Sequence, residues 1–242
     1  MKFKLFAVLF FTSYLAQAIE GFQPSSNRNV VMLKASRSGG TAFIFDHSVH
    51  GKILITQKHV LELSPDSLNL QWGHEVGPFF RLNKMEESAY QIEFTPQVIW
   101  QDNDLDVAVL KIPEGLLEKC VCTGLKQGSF SEGSATLIGY PIVQRRIWPQ
   151  TSNWVWMWRE LWGRVQQQVS TGKVWKSGDE YLGDIDSISG NSGGPIIQED
   201  KVIGIIHLLK TWKGEGYRYK NPSLNFIPIE TIIAALSVKT KS

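Results

Sequence analysis

Cysteine, net charge and long apolar runs are all scarce in this sequence. Only two cysteines occur in 242 residues, Cys120 and Cys122, with one valine between them. A disulfide-built scaffold is thereby excluded, because it needs several bridges spread along a short chain. The pair itself leaves two readings open, free thiols or a strained local bridge, since residues two apart close a ring poorly. A metal site would need more ligands of the right type nearby. No such cluster stands out, so neither a metal nor a cofactor is expected. The formal net charge is only +2, which argues against a nucleic-acid partner. Beyond residue 18 no charge-free stretch is long enough to cross a bilayer. What is present is ordinary globular material: 43% hydrophobic and 20% charged residues, enough for a substantial core in one or two domains.

The first residues read as an address rather than as fold. Lys2 and Lys4 precede an apolar run from Leu5 to Leu15, and Ala16-Gln17-Ala18 is a small-x-small cleavage site. This is the pattern of a secretory signal peptide over residues 1–18. Cleavage would leave a chain beginning at Ile19, secreted or periplasmic and without stable membrane insertion.

Most of the remaining sequence reads as strands. Short runs rich in Val, Ile and Phe, such as Asn29–Lys34, Thr41–Phe45 and Lys52–Thr56, alternate with glycine and polar turns. That spacing points to an antiparallel sandwich or barrel. Further strands are expected at Leu68–Trp72, Phe79–Leu82, Tyr90–Phe94 and Val98–Trp100. Near the end, Pro228 to Leu236 carries apolar residues at helical spacing with proline at its start, which predicts a helix.

The chemistry concentrates in Asp184–Pro195, whose centre is Gly190-Asn191-Ser192-Gly193-Gly194-Pro195. A serine among glycines suits a nucleophile. Gly190 permits a backbone conformation closed to other residues, and backbone N–H groups can then converge on a developing oxyanion. The motif resembles the nucleophile loop of trypsin-like, chymotrypsin-fold serine proteases. It is most similar to the bacterial Deg-type and glutamyl-endopeptidase branches, which have Gly-Asn-Ser-Gly where trypsin has Gly-Asp-Ser-Gly. Two further segments carry the same resemblance. Thr56-Gln57-Lys58-His59-Val60 resembles the family's Thr-x-x-His-Val, and Asp106-Val107-Ala108-Val109-Leu110 resembles the segment that holds the triad aspartate. Asp102 and Asp104 are nearby competitors, read as a solvated acidic turn. The chain order His, Asp, Ser is that of the chymotrypsin class.

The resemblance implies an all-β fold of two antiparallel six-stranded β-barrels with a C-terminal α-helix. The peptidase domain would span 19–242, with the first barrel at about 28–115, the second at about 128–228 and the helix at about 228–237. It implies a serine endopeptidase in which His59, Asp106 and Ser192 are catalytic and the N–H groups of Gly190 and Ser192 form the oxyanion hole. Its partner would be a protein or peptide substrate; the oligomeric state is left open. The disulfide framework of animal trypsins is absent, in keeping with the bacterial branches. The neutral Asn191 stands where trypsin-type zymogens bury an aspartate, so no trypsin-style activation is expected. Asp186 and His207 are candidates for the primary substrate pocket, with Asp184 a competitor. Asp186 lies six residues before Ser192, where trypsin keeps its selective aspartate. His207 lies one position beyond the histidine of glutamyl endopeptidases, and could instead touch Asp106 or simply pack.

Residues 142–170 stand apart. Five tryptophans run from Trp148 to Trp162, with Arg159 among them and Arg145, Arg146 and Arg164 flanking them, and Trp154, Trp156 and Trp158 alternate. On a strand these three indoles would share a face. The segment reads either as an aromatic hairpin packed on the barrel or as a binding flap. The flap reading supports an alternative in which the chain is a catalytically silent binding protein that keeps the protease fold.

Overall fold

A computed structural model describes residues 22–24, 27–34, 39–62, 68–72, 75–76, 90–141, 165–187, 190–209 and 224–239. Its first half contains β1 (Phe22–Pro24), β2 (Val30–Lys34), β3 (Gly39–His47), β4 (Gly51–Gln57), α1 (Lys58–Glu62), β5 (Leu68–Trp72), β6 (Glu75–Val76), β7 (Tyr90–Phe94), β8 (Val98–Asp102), β9 (Val107–Lys111) and α2 (Leu116–Cys120). The second half contains β10 (Lys126–Gln127), β11 (Gly133–Gly139), β12 (Val165–Gln166), β13 (Gln168–Ser177), β14 (Glu180–Gly183), β15 (Pro195–Gln198), β16 (Lys201–Leu209), β17 (Leu224–Pro228) and α3 (Ile229–Lys239). Among the described residues no helix is long and apolar enough to cross a membrane. The expected strand at Phe79–Leu82 and the Trp-rich alternation at 154–158 lie outside the described residues.

The central strands β2, β3, β4 and β9 are apolar on both faces because they separate two cores. Period-2 alternation sorts their side chains. Val31, Leu33, Ala42, Ile44, Leu54, Ala108 and Leu110 turn inward to a core of the first half, shared with Leu68 and Leu70 of β5. Val30, Met32, Phe43, Phe45, Ile53, Ile55, Val107 and Val109 turn the other way, into a seam with Ile138, Tyr140, Val202, Ile205 and Ile227 from the second half. Helix α3 adds Ile229, Ile232 and Leu236 to that seam and packs against β16 and β17. A third core fills the second half, built on Leu137, Ile185, Ile196, Ile203, Ile206 and Phe226.

The two halves close differently. In the second, the order β13-β11-β15-β16-β17-β14 is completed by pairing of β14 with β13, a closed antiparallel barrel of six strands. In the first, seven strands run β7-β5-β2-β3-β4-β9-β8, and among the described residues β7 and β8 remain the end strands. The N-terminal β1 leaves the first half altogether and pairs with β13, Phe22 opposite Ser170. Cys120 and Cys122 are bonded to each other, and both sulfurs belong to the first-half core.

Candidate active site

His59 sits in α1, which follows β4 without a break. Val60 and Leu61 on the same turn are buried in the first-half core and fix the helix, while His59 faces out. Asp106 immediately precedes β9, the neighbour of β4, and Gln57 pairs with Val107 in that ladder. The register therefore brings the two residues together from 47 positions apart. Asp106 takes a left-handed conformation, with φ of 51°, which aspartate tolerates better than most residues. The turn is held at its main chain, where the Asp106 carbonyl accepts the Lys58 N–H at 3.0 Å.

Among the described residues the Asp106 carboxylate accepts three hydrogen bonds. Oδ1 takes the His59 main-chain N–H at 2.9 Å. Oδ2 lies 2.7 Å from His59 Nδ1 and 3.2 Å from Gln57 Nε2. A carboxylate is acceptor-only, so Nδ1 carries the imidazole proton and Nε2 is left as an acceptor. That is the tautomer a general base requires. The side chains are 45% exposed for His59 and 26% for Asp106, so the pair borders solvent rather than core.

Ser192 is held by main-chain contacts. The Thr41 N–H donates to the Ser192 carbonyl at 2.8 Å, and the Thr41 hydroxyl donates to the Gly190 carbonyl at 2.7 Å. The same hydroxyl accepts the Tyr140 N–H at 3.0 Å, so one threonine of β3 ties together the nucleophile loop and the end of β11. Gly190 and Gly193 have φ of 95° and 84°, a region open chiefly to glycine. Space is equally restrictive at Gly193, where a Cβ would lie 2.2 Å from the Thr41 carbonyl oxygen and 2.5 Å from Thr56 Oγ1. The Asn191 carbonyl accepts the Gly194 N–H at 2.8 Å. In a trans peptide the N–H points opposite to the carbonyl, so the Ser192 N–H is turned away from Gly194. Ile188 and Ser189 lie outside the described residues, and with them the peptide plane that orients the Gly190 N–H. Among the described residues no hydrogen bond joins His59 Nε2 to Ser192 Oγ. Such contacts are often long without substrate.

The remaining sequence candidates have other surroundings. Asp184 is taken up in the barrel, where its Oδ1 accepts the Lys173 N–H and its own N–H donates to the Lys173 carbonyl at 3.0 Å. Asp186 is half-buried and engaged in a contact of its own. His207 forms no bond to Asp106; among the described residues its buried Nδ1 has no partner, and its carbonyl accepts Gln57 Nε2 at 2.8 Å. Asn191 is 1% exposed, wedged where a Cβ on Gly139 would lie 2.5 Å from its Oδ1. Asp102 caps its own turn through the N–H groups of Asp104 and Leu105. The Trp-rich residues 142–164 lie outside the described residues. Sequence reasoning missed Thr41 and Gln57. Gln57 lies within the Thr-x-x-His-Val pattern at a position that pattern leaves open, and Thr41 begins a stretch read only as a strand.

A nucleophile loop on a closed six-stranded barrel, facing an Asp–His pair on a second antiparallel sheet, defines the class as chymotrypsin-like. The trypsin-like peptidase domain family matches residues 40–205, and the chain belongs to that family of serine proteases. No curated protein sequence matches the chain. Among solved structures it is similar to an HtrA-type protease, AlgW with a tripeptide, at 19% identity and a TM-score of 0.56, covering 92% of this chain and 62% of that one. A serine endoprotease from Yersinia pestis matches at 19% identity and a TM-score of 0.55, over 92% of this chain and 65% of that one. Deg5 matches at 15% identity and a TM-score of 0.52, over 92% of both chains. The chain thus spans under two thirds of the first and second of these proteins.

Proposed function

We propose that the chain is an exported serine endopeptidase working through Ser192, His59 and Asp106. The observation that carries this reading is the 2.7 Å contact between His59 Nδ1 and Asp106 Oδ2. It leaves His59 Nε2 free to take the Ser192 hydroxyl proton as Oγ attacks a peptide carbonyl. The negative charge that develops on the carbonyl oxygen falls to the N–H groups of Gly190 and Ser192. His59 then returns the proton to the leaving amine, and water releases the acyl group by the same path. Asn191 bears no charge, so a new N-terminal amine would find no carboxylate there and the enzyme would need no trypsin-style activation. Export follows from residues 1–18.

The test is fluorophosphonate labelling of the purified mature chain beside Ser192→Ala. The expected result is labelling and hydrolysis of peptides, with activity reduced about 10⁴-fold or more in the variant. A second reading is a silent binding protein that keeps this fold and works through the Trp-rich segment 142–170. Folded wild-type chain that never labels would establish that reading and remove the first.

A further inference from the structure

We infer that Gln57 is a positioning residue for the acid–base pair, spending both protons of its side-chain amide to fix Asp106 against the main chain of β16. The inference rests on the triad reading above.

Two of the three donors to the Asp106 carboxylate belong to His59 itself. They join the two residues but do not hold the pair to anything else. Among the described residues Gln57 is the one donor to that carboxylate from outside the pair. Its other proton goes to the His207 carbonyl, 150 positions away on β16. One primary amide therefore links the acid–base side of the site, on the first sheet, to the barrel that carries Ser192.

The choice of residue follows from the acceptors. A carboxylate and a carbonyl both need a donor, and a primary amide has two on one nitrogen. A hydroxyl has one; leucine and an ionised glutamate have none. Reversing the amide would set Oε1 against two oxygens, so the orientation is fixed by its neighbours. Gln57 is 1% exposed, and among the described residues its buried Oε1 has no partner. Both protons of the amide are thus engaged while its oxygen is not, so the side chain acts here through its donors. The acceptor on β16 is equally particular. The register shifts between Ile206 and Leu208, so His207 is left with no partner residue on β17.

The test compares wild type with Gln57→Leu, which has similar volume and no donors, and Gln57→Glu, which keeps the shape and loses the donors when ionised. Thermal melting identifies folded variants, and the glutamate variant serves if the leucine variant fails to fold. Two readouts separate positioning from mere support. With p-nitrophenyl acetate as substrate, kcat should fall about tenfold to a hundredfold while KM changes little, as expected for a misplaced catalytic group. By proton NMR, the His59 Nδ1–H signal should exchange with solvent at least about tenfold faster, because the pair is no longer tied to the frame. Folded variants with wild-type kcat and an equally protected signal would overturn the inference. If wild type itself fails to turn over the ester, the triad reading falls. The NMR comparison then decides the role of Gln57 alone: faster exchange in the variants upholds it, equal exchange ends it.

Discussion

Ser192 and the His59–Asp106 pair, the groups proposed as nucleophile and acid–base pair, are held by different means. Ser192 is positioned by main chain and sterics. Its carbonyl takes the Thr41 N–H, Gly194 closes on Asn191, and Gly193 has no room for a single carbon. His59 and Asp106 are positioned by side-chain hydrogen bonds, in a place open to solvent. The first arrangement is all-or-none, since overlap energies rise steeply. The second is graded, because hydrogen bonds between polar groups weaken and shift with geometry and environment.

That contrast sets the order of expected effects. Gly193→Ala should do the most damage, losing about 3 kcal/mol or more of stability from overpacking and from the left-handed backbone together. Urea denaturation measures it; a loss under about 1 kcal/mol would break the comparison, for the loop would then be as yielding as the pair facing it. Thr41→Val should cost less. It keeps the shape but leaves the Gly190 carbonyl and the Tyr140 N–H without their hydroxyl, about 1–3 kcal/mol for buried groups left unpaired. The same denaturation curves read it, and a slower fluorophosphonate reaction at full folding would locate part of the effect in the loop.

The smallest effect sharpens the contrast by moving to the far end of β3. There the turn after His47 is again held by a side chain, with Nδ1 accepting the N–H groups of Val49 at 3.2 Å and His50 at 3.1 Å. Burial, and then the neighbouring His50, lower the His47 pKa from its ordinary value. The folded state thus disfavours the proton. Its contribution is complete above the unfolded value of about 6.5 and is lost as pH falls through the lower folded value. His47→Asn keeps an acceptor in the turn without a titrating group. Melting curves between neutral and mildly acid pH should flatten in the variant by about 1 kcal/mol or less. An unchanged pH dependence would remove His47 as the source.

Much of this was legible because it rests on local pattern. The glycines around Ser192 announce a backbone that other residues cannot adopt. The apolar runs in Val107–Lys111 and Val30–Lys34 announce strands, and the helix expected at 228–237 is found at Ile229–Lys239. Gln57 and Thr41 were not legible, since each acts on a partner about 150 positions away. Nothing in the neighbouring residues distinguishes a glutamine at that place from one on the surface. The departure of β1 to the second sheet is of the same kind: three residues of strand carry no sign of which edge they will join.

By itself the sequence determined the groups available and the faces they share. It supplied one serine in a glycine frame, one histidine after a buried strand, and strands whose alternate residues must point to opposite sides. Tertiary structure decided which aspartate meets the histidine. Asp102 and Asp106 belong to the same turn, yet the first bonds the N–H groups of its own loop while the second, in a left-handed conformation at the head of β9, reaches His59. The reason is geometric. A carboxylate meets a distant imidazole only where strand register and backbone direction aim it there, and register is a property of the paired sheet rather than of either strand alone.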